Sequence, residues 1–176
     1  VSQMVYQKNF SNKIQSTENP GPSGIVQSHH TTVSKKVMLA TAWVNIVCCG
    51  STYKVRALID PCSDESFVSE RIQKLLKLPT VPISAVVSGL GGEVVSKSNK
   101  MASFVIGSLL DSNSALEVEA LVVAQVTGSV PTHTFRPKEG AKFPQLEYAD
   151  PDFFKSGQID VLLGGDVYPS ILLNGV

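Results

Sequence analysis

The chain has 176 residues, of which 43% are hydrophobic and 17% are charged, and it is formally neutral. This balance is typical of a globular domain and gives no support to a nucleic-acid partner or a charged membrane surface. No apolar run approaches the ~18–20 residues of a membrane span, and the first residues lack the basic-then-apolar pattern of a secretory signal. Because the chain begins at Val1 rather than Met, we expect it to be a piece of a longer protein.

The cysteines and histidines predict neither a disulfide framework nor a metal site. The three cysteines are odd in number, and two of them are adjacent, which fits a reducing compartment. A zinc site needs a second pair of ligands at suitable spacing, and the histidines do not provide one. We therefore expect no metal and no other cofactor. The residues concerned are Cys48, Cys49, Cys62, His29, His30 and His133.

Composition divides the chain into two parts. Residues 1–34 are polar and irregular, rich in Ser, Thr, Asn and Gln, and contain the breaker sequence Asn-Pro-Gly-Pro-Ser-Gly at 19–24. They are predicted to be a disordered linker. Residues 35–176 have the periodic apolar pattern of a folded domain.

The first elements of that domain form a predicted hairpin followed by a helix. Strands are expected at 37–47 and 53–59, joined by a turn at Gly50 and Ser51. The second strand becomes continuously apolar and so delivers Asp60 to the centre of the domain. A helix is predicted over 66–76, where apolar residues recur at helical spacing, and Pro79 follows its end.

The remainder of the domain is mostly strands. We predict strands at 83–87, 93–98, 101–106 and 116–126, with Val118, Ala120, Val122 and Ala124 on one face. The stretch 127–158 has no clear pattern and is predicted to be a long loop, functional or covering. A last strand over 159–163 and a short helix over 167–173 complete an all-β fold, a small closed barrel.

Asp60 is the leading candidate for chemistry. It directly follows the apolar residues 57–59, and a charged aspartate at the buried end of a strand is costly. The alternative is an ordinary turn or capping aspartate. A second apolar stretch, 159–163, ends in Gly164, Gly165 and Asp166, and it repeats the theme of an apolar strand that ends in small residues and an acid.

The order of these elements resembles one subunit of a retropepsin-type aspartic protease. The glycine-rich turn formed by Ser88, Gly89, Leu90, Gly91 and Gly92 is similar to the tip of that family's flap hairpin, where glycines permit close approach to a substrate backbone. Within the family, the chain looks most like the protease segment of Pao/BEL-type retrotransposon polyproteins. The stretches that carry this likeness are 56–60, 66–70, 116–121, 149–153 and 159–168.

The resemblance implies an aspartic endopeptidase that processes its own polyprotein as a homodimer, with Asp60 as the catalytic residue of each subunit. Its substrate would be an extended peptide bound as an added strand, without nucleic acid or membrane. Pockets near Val87, Leu90, Val94 and residues 163–167 would hold the side chains. It places Asp166 in a structural ion pair or at a helix N-cap, and it implies a cytoplasmic protein, with virus-like particles as a further setting.

The catalytic turn departs from the family pattern of Asp, Ser or Thr, and Gly. Asp60 and Ser63 match, but Pro61 lacks the hydroxyl that would hydrogen-bond across the dimer and Cys62 replaces the glycine. A catalytically weak or inactive pseudoprotease, retained as a dimerisation or peptide-binding module, is therefore the alternative. A thiol-based activity of Cys62 with His133 as its base is a third and weaker reading.

Overall fold

A computed structural model describes residues 38–48, 50–89, 93–111, 114–136 and 147–172. The chain separates into two compact units, Val1–Lys35 and Lys36–Val176, and every described residue belongs to the second unit. The predicted linker at 1–34 lies outside the described residues.

The described residues form seven strands and two short helices. The strands are β1 (Thr41–Cys48), β2 (Ser51–Ile59), β3 (Phe67–Ser69), β4 (Thr80–Ser88), β5 (Val94–Ser108), β6 (Ala115–Val123) and β7 (Val161–Leu163). The helices are α1 (Glu70–Leu76) and α2 (Tyr168–Ile171). At seven and four residues, neither helix has the length or apolarity to cross a membrane.

Six of the strands close into a mixed β-barrel, which confirms the predicted all-β fold. The strand order is β1-β2-β7-β3-β6-β5-β4, and an additional antiparallel pairing of β1 with β5 closes the ring. Strand β4 stays outside the ring and pairs with β5 as a long hairpin. The predicted turn at Gly50 joins β1 to β2, and its φ of 75° is the left-handed conformation that favours glycine.

The barrel interior is filled by alternate residues of the strands. In β5 the buried apolar positions are Ala102, Phe104 and Ile106, and the residues between them are less buried. In β6 the pattern is the same, with Val118 and Ala120 buried and Glu117 and Glu119 exposed. This alternation places one face of each strand in the core.

Strand β6 ends earlier than its sequence pattern predicts. Its last residue is Val123 rather than 126, and Ala124, predicted to continue the buried face, is exposed. Residues 124–126 have no strand partner, so hydrophobicity alone does not extend the strand.

Strand β7 lies between β2 and β3 and brings two distant parts of the chain together. It runs parallel to β2 and antiparallel to β3, and all three of its residues are buried. Central strands that are covered on both faces have continuous apolar sequences, which explains the run Val161–Leu163. Its carboxyl end therefore lies beside the end of β2, where Asp60 follows.

The predicted helix over 66–76 is wrong in its first residues. Phe67–Ser69 form β3, which pairs parallel with β6 and antiparallel with β7, because a ladder on both sides satisfies more backbone groups than one more helical turn. Helix α1 then starts after Ser69, whose hydroxyl accepts a hydrogen bond from the amide of Ile72 at 3.3 Å.

Two predicted strands, 93–98 and 101–106, are one continuous strand, β5. The break predicted at residues 99–100 is absent from β5. The irregularity lies in the neighbouring strand β4, whose register with β5 shifts between Pro82 and Ala85. A proline cannot donate to the ladder, so β4 absorbs the break at the outer edge of the sheet.

The segment between β6 and β7 is mostly irregular in its described parts, as predicted. One isolated antiparallel bridge joins Val130 to Gly157, with hydrogen bonds of 2.8 and 3.2 Å between their backbones. Strand β7 starts at Val161 rather than 159, and α2 covers only Tyr168–Ile171 of the predicted 167–173.

Candidate active site

Asp60 lies at the end of β2 and begins a tight hydrogen-bonded turn. Its amide donates to the carbonyl of Leu163 in β7 at 3.0 Å, so the position of its backbone is set by the neighbouring strand. The amide of Ser63 donates to the carbonyl of Asp60 at 3.1 Å, which closes a β-turn over Pro61 and Cys62. The amide of Cys62 donates to Oδ1 of Asp60 at 3.0 Å and orients the carboxylate.

Pro61 and Cys62 are compatible with this turn, although they depart from the family pattern. Proline is favoured at the second position of a β-turn because its φ is already fixed near the required value. Among the described non-glycine residues only Lys77 has a positive φ, so Cys62 occupies its place without the conformation that needs glycine. The turn therefore closes with proline and cysteine at its two central positions.

The loop that follows β7 packs directly against the Asp60 turn. The amide of Gly165 donates to the carbonyl of Ser63 at 2.7 Å. A Cβ atom on Gly164 would lie 2.5 Å from the carbonyl oxygen of Glu65, a distance that no side chain could tolerate without backbone movement. Gly164 is thus required by the close approach of two backbones, and the two turns, 60–63 and 164–167, pack directly against each other.

Asp166 does not form the predicted ion pair or helix cap in the described structure. Its Oδ1 accepts a hydrogen bond from the hydroxyl of Ser66 at 2.8 Å. The N-cap of α2 is Val167, which makes no side-chain capping hydrogen bond. Oδ1 of Asp166 thus ties the loop between β7 and α2 to Ser66, while Oδ2 has no hydrogen-bond partner among the described residues.

The carboxylate of Asp60 remains accessible. The residue is half-buried, and Pro61 and Cys62 beside it are exposed. Within the described residues Oδ1 is held by the amide of Cys62, and Oδ2 has no hydrogen-bond partner. A carboxylate that is fixed on one oxygen and open on the other is suited to bind a water molecule or a second carboxylate.

The predicted flap is the hairpin of β4 and β5. Ser88 pairs with Val94, and the amide of Gly89 donates to the carbonyl of Glu93 at 2.8 Å. Val94 and Val95 are 58% and 67% exposed, so the end of the hairpin presents apolar side chains to solvent. Leu90, Gly91 and Gly92 lie outside the described residues. The contacts described at this end lie within the hairpin, and none joins it to Asp60.

A buried guanidinium that the sequence did not single out organises the long segment before β7. Arg56 Nε donates to Asp150 Oδ2 at 2.6 Å, and both side chains are almost fully buried, 4% and 1% exposed. The two terminal nitrogens of Arg56 donate to the carbonyls of Val130, Asp152 and Lys155 at 2.7–3.2 Å. The signal available in the sequence was an Arg within the apolar second half of a strand, residues 55–59.

A second buried carboxylate, Asp160, precedes β7. It accepts hydrogen bonds from the hydroxyl of Ser69 at 2.9 Å and from the guanidinium of Arg71, which is half-exposed. Because these donors satisfy both of its oxygens, Asp160 holds α1 and β3 against β7 and is not available for chemistry. Asp60 is thus distinguished from Asp150 and Asp160 by its unoccupied oxygen.

The described residues give no support to metal or thiol chemistry. Among the parts of the chain that the structure describes, no three His, Cys, Asp or Glu residues lie close enough together to hold a metal ion. Cys62 and His133 are both exposed, and no described hydrogen bond joins them. Cys48 instead donates its thiol to the carbonyl of Leu76 at 3.3 Å, a packing role between β1 and α1.

Comparison of the chain with known protein families finds no match, and no curated protein sequence matches it.

Proposed function

We propose that this domain is an aspartic endopeptidase that acts as a homodimer on its own polyprotein, with Asp60 as the catalytic residue of each subunit. The observation that carries the proposal is the setting of Asp60. Its backbone is tied to Leu163, one carboxylate oxygen is held by the Cys62 amide, and the other is open toward solvent. Asp160, which holds β3 and α1 against β7, instead has both of its oxygens engaged by donors.

The chemistry requires two such carboxylates that share one proton, because like charges about 3 Å apart do not both ionise easily. The ionised carboxylate takes a proton from a water molecule, whose oxygen bonds to the peptide carbon, and the protonated one donates to the carbonyl oxygen. Collapse of this intermediate breaks the C–N bond: the leaving amine takes the proton now held by the first carboxyl group, and a hydroxyl of the intermediate returns a proton to the second. Because one of the two carboxyl groups must be protonated, we expect the reaction to be faster at mildly acidic pH.

A second subunit is needed to supply the other carboxylate. Asp166 also has one oxygen held, by the hydroxyl of Ser66, but its residue is exposed. Asp60 is half-buried and its amide is fixed by Leu163 of β7, so we assign the catalytic carboxylate to Asp60. Pro61 and Cys62 are exposed next to it and would form the surface that meets the partner subunit. A two-fold axis beside this turn would place two copies of Asp60 together.

The substrate would be an extended peptide, bound as an additional strand beneath the β4–β5 hairpin. The exposed Val94 and Val95 offer apolar contacts at the end of that hairpin. The proposal that the substrate comes from the domain's own polyprotein rests on the resemblance to retrotransposon proteases.

The alternative function is an inactive dimerisation or peptide-binding module, and it has one specific observation in its favour. Pro61 has neither a hydroxyl nor an N–H, so the hydrogen bond that links the two turns of a retropepsin dimer has no donor at this position. A weaker dimer would have its two Asp60 carboxylates together for less of the time.

Self-cleavage separates the two functions. An extended chain with native flanking sequence would be incubated at mildly acidic pH, with Asp60→Asn as the test variant and Asp64→Asn, an exposed aspartate of the same segment, as the control. Cleavage in the wild type and control but not in Asp60→Asn is the expected result. Absence of cleavage in all three, with a folded dimer in solution, would support the binding module instead.

A further inference from the structure

Ser66 is a fully buried polar residue at the junction of the two turns. It is 0% exposed and lies immediately before β3. Its hydroxyl accepts a hydrogen bond from the amide of Gly164 at 3.0 Å and donates one to Oδ1 of Asp166 at 2.8 Å. Its carbonyl accepts from the amide of Leu121 in β6 at 2.9 Å, so the residue is itself fixed by the barrel wall.

The two hydrogen bonds of this hydroxyl hold the loop after β7 at both ends of its glycine pair. Gly164 is buried, and Ser66 is the partner of its amide. The Asp60 turn is itself held by the end of β7, where Leu163 accepts from the amide of Asp60, and by the loop, where Gly165 donates to Ser63. Ser66 therefore reaches Asp60 through the loop, without touching the carboxylate.

We infer that Ser66 is a positioning residue for Asp60: its hydroxyl sets the loop of Gly164 and Asp166, which fixes the backbone on which the carboxylate stands. The inference rests on the proposed function only where it concerns catalysis. Loss of the hydroxyl leaves the amide of Gly164 buried without a partner, which favours opening of the loop. A displacement of about 1 Å in a catalytic group lowers rates by about a hundredfold.

The chain offers a matched control in Ser69. Both serines are buried, at 0% and 1% exposed, and each donates its hydroxyl to an aspartate about a hundred residues later, Asp166 for Ser66 and Asp160 for Ser69. Ser69 caps α1 and makes no described contact with the two turns. The variants Ser66→Ala and Ser69→Ala thus remove the same atom from similar surroundings and differ in what the hydroxyl holds.

Amide hydrogen exchange of the 176-residue chain, followed by NMR, tests the inference directly. In Ser66→Ala the amides of Asp60 and Gly165 are expected to exchange about tenfold faster than in the wild type. In Ser69→Ala the faster amide should be that of Ile72, with Asp60 and Gly165 unchanged. Equal acceleration of the Asp60 and Gly165 amides in both variants, or no change in Ser66→Ala, would overturn the inference.

Asp166 provides a second pair of variants in case Ser66→Ala does not fold. Asp166→Asn keeps an oxygen that can accept from the Ser66 hydroxyl, whereas Asp166→Ala does not. We expect slow exchange of the Gly165 amide to survive in Asp166→Asn and to be reduced in Asp166→Ala. Identical exchange in these two variants would show that the hydrogen bond does not set the loop.

A peptidase assay then separates failure of this inference from failure of the proposed function. In Ser66→Ala kcat should fall about tenfold to a hundredfold, while KM stays within about twofold because the substrate contacts are untouched. An inactive wild type with the expected exchange pattern would reject the peptidase function and retain the positioning role. An active wild type with unchanged kcat and exchange in Ser66→Ala would reject the positioning role alone.

Discussion

The side chains of Arg56 and Asp150 are 94 residues apart in sequence and meet in the protein interior, with 2.6 Å between Nε and Oδ2. The same Asp150 oxygen also accepts from the hydroxyl of Thr41 at 2.6 Å. Because the guanidinium also donates to three carbonyls of the segment before β7, this pair fastens that segment to the barrel. Arg56 belongs to β2, the strand that Asp60 directly follows.

Removal of one partner of this pair should be strongly destabilising. In Arg56→Met the carboxylate of Asp150 stays buried without its counter-charge, which typically costs about 3–5 kcal/mol in the free energy of unfolding. Arg56→Lys should also be costly, since one ammonium group cannot reach the four acceptors that the planar guanidinium holds. Urea denaturation followed by circular dichroism measures both effects.

The surface pair of Lys74 and Glu70 is the control for that experiment. Both side chains are exposed to solvent, so Lys74→Met should leave the free energy of unfolding nearly unchanged at neutral pH. The hydrogen bond from Lys74 lowers the pKa of the Glu70 carboxyl. The small contribution of this pair is therefore present above the ordinary carboxyl pKa and is lost as the pH falls through the lowered value. A loss in Lys74→Met as large as that in Arg56→Met would contradict the assignment of a buried anchor.

Gly164→Ala should disrupt the junction of the two turns. The new Cβ would lie 2.5 Å from the Glu65 carbonyl oxygen, a backbone atom that cannot move aside alone. We expect a loss of about 1–3 kcal/mol or more in unfolding free energy, together with loss of any peptidase activity.

Gly128→Ala serves as the comparison for Gly164→Ala. Nothing lies within 4 Å of its Cβ position, and its φ is not in the left-handed region, so stability should change by no more than about 0.5 kcal/mol. Urea denaturation curves of the two variants measure the difference in their free energies of unfolding. Similar midpoints for both would show that the two backbones are not in the close contact described.

The architecture of the barrel could be predicted from the sequence because its pattern is local. Alternating burial in β5 and β6, the glycine turn at Gly50 and the continuous apolar run of β7 are each determined by neighbouring residues. The identity of β3 could not be predicted in this way. Its three residues fit a helical pattern, and only the strands on either side, which are distant in sequence, make them extended.

The proximity of Asp60 to the Gly164–Gly165 pair could be expected from the sequence, whereas the hydrogen bonds that connect them could not. Asp60 and the pair Gly164 and Gly165 could be recognised from the strand-end pattern and from the resemblance. The role of Ser66 could not, because a serine at the start of a predicted helix is typical of a cap. Which aspartate a buried serine contacts depends on the insertion of β7 between β2 and β3, and that is a property of the topology.

Lys77→Gly should stabilise the domain. Lys77 ends α1 in the left-handed conformation, with φ of 49° and ψ of 44°, which costs a residue with a Cβ about 1–2 kcal/mol relative to glycine. Part of this gain is offset because glycine is more flexible in the unfolded chain, so an increase of about 0.5–1 kcal/mol is expected. Calorimetry should show a higher Tm for Lys77→Gly, and a lower Tm for Gly placed at the helix interior in Lys74→Gly. A fall in both variants would argue against the left-handed end of α1.

Pro61→Ser should strengthen the proposed dimer and raise its activity. The resemblance assigns the hydroxyl at this position to a hydrogen bond across the two-fold axis, and Pro61 is exposed, so a serine can be accommodated. The turn itself should persist, because the hydrogen bonds from Ser63 to Asp60 and from Gly165 to Ser63 do not involve residue 61, although loss of the proline is expected to cost about 0.4–1 kcal/mol in monomer stability. Pro61→Ala is the matched control, since it loses the proline without adding a hydroxyl.

Sedimentation equilibrium and peptide cleavage should show a lower dimer Kd and a higher kcat/KM for Pro61→Ser than for Pro61→Ala. If the dimer tightens in Pro61→Ser and cleavage stays absent, the domain is a binding module whose chemistry has been lost. If the dimer Kd is the same in both variants, the Asp60 turns of the two subunits do not meet across the axis, and the proposed homodimeric site is wrong.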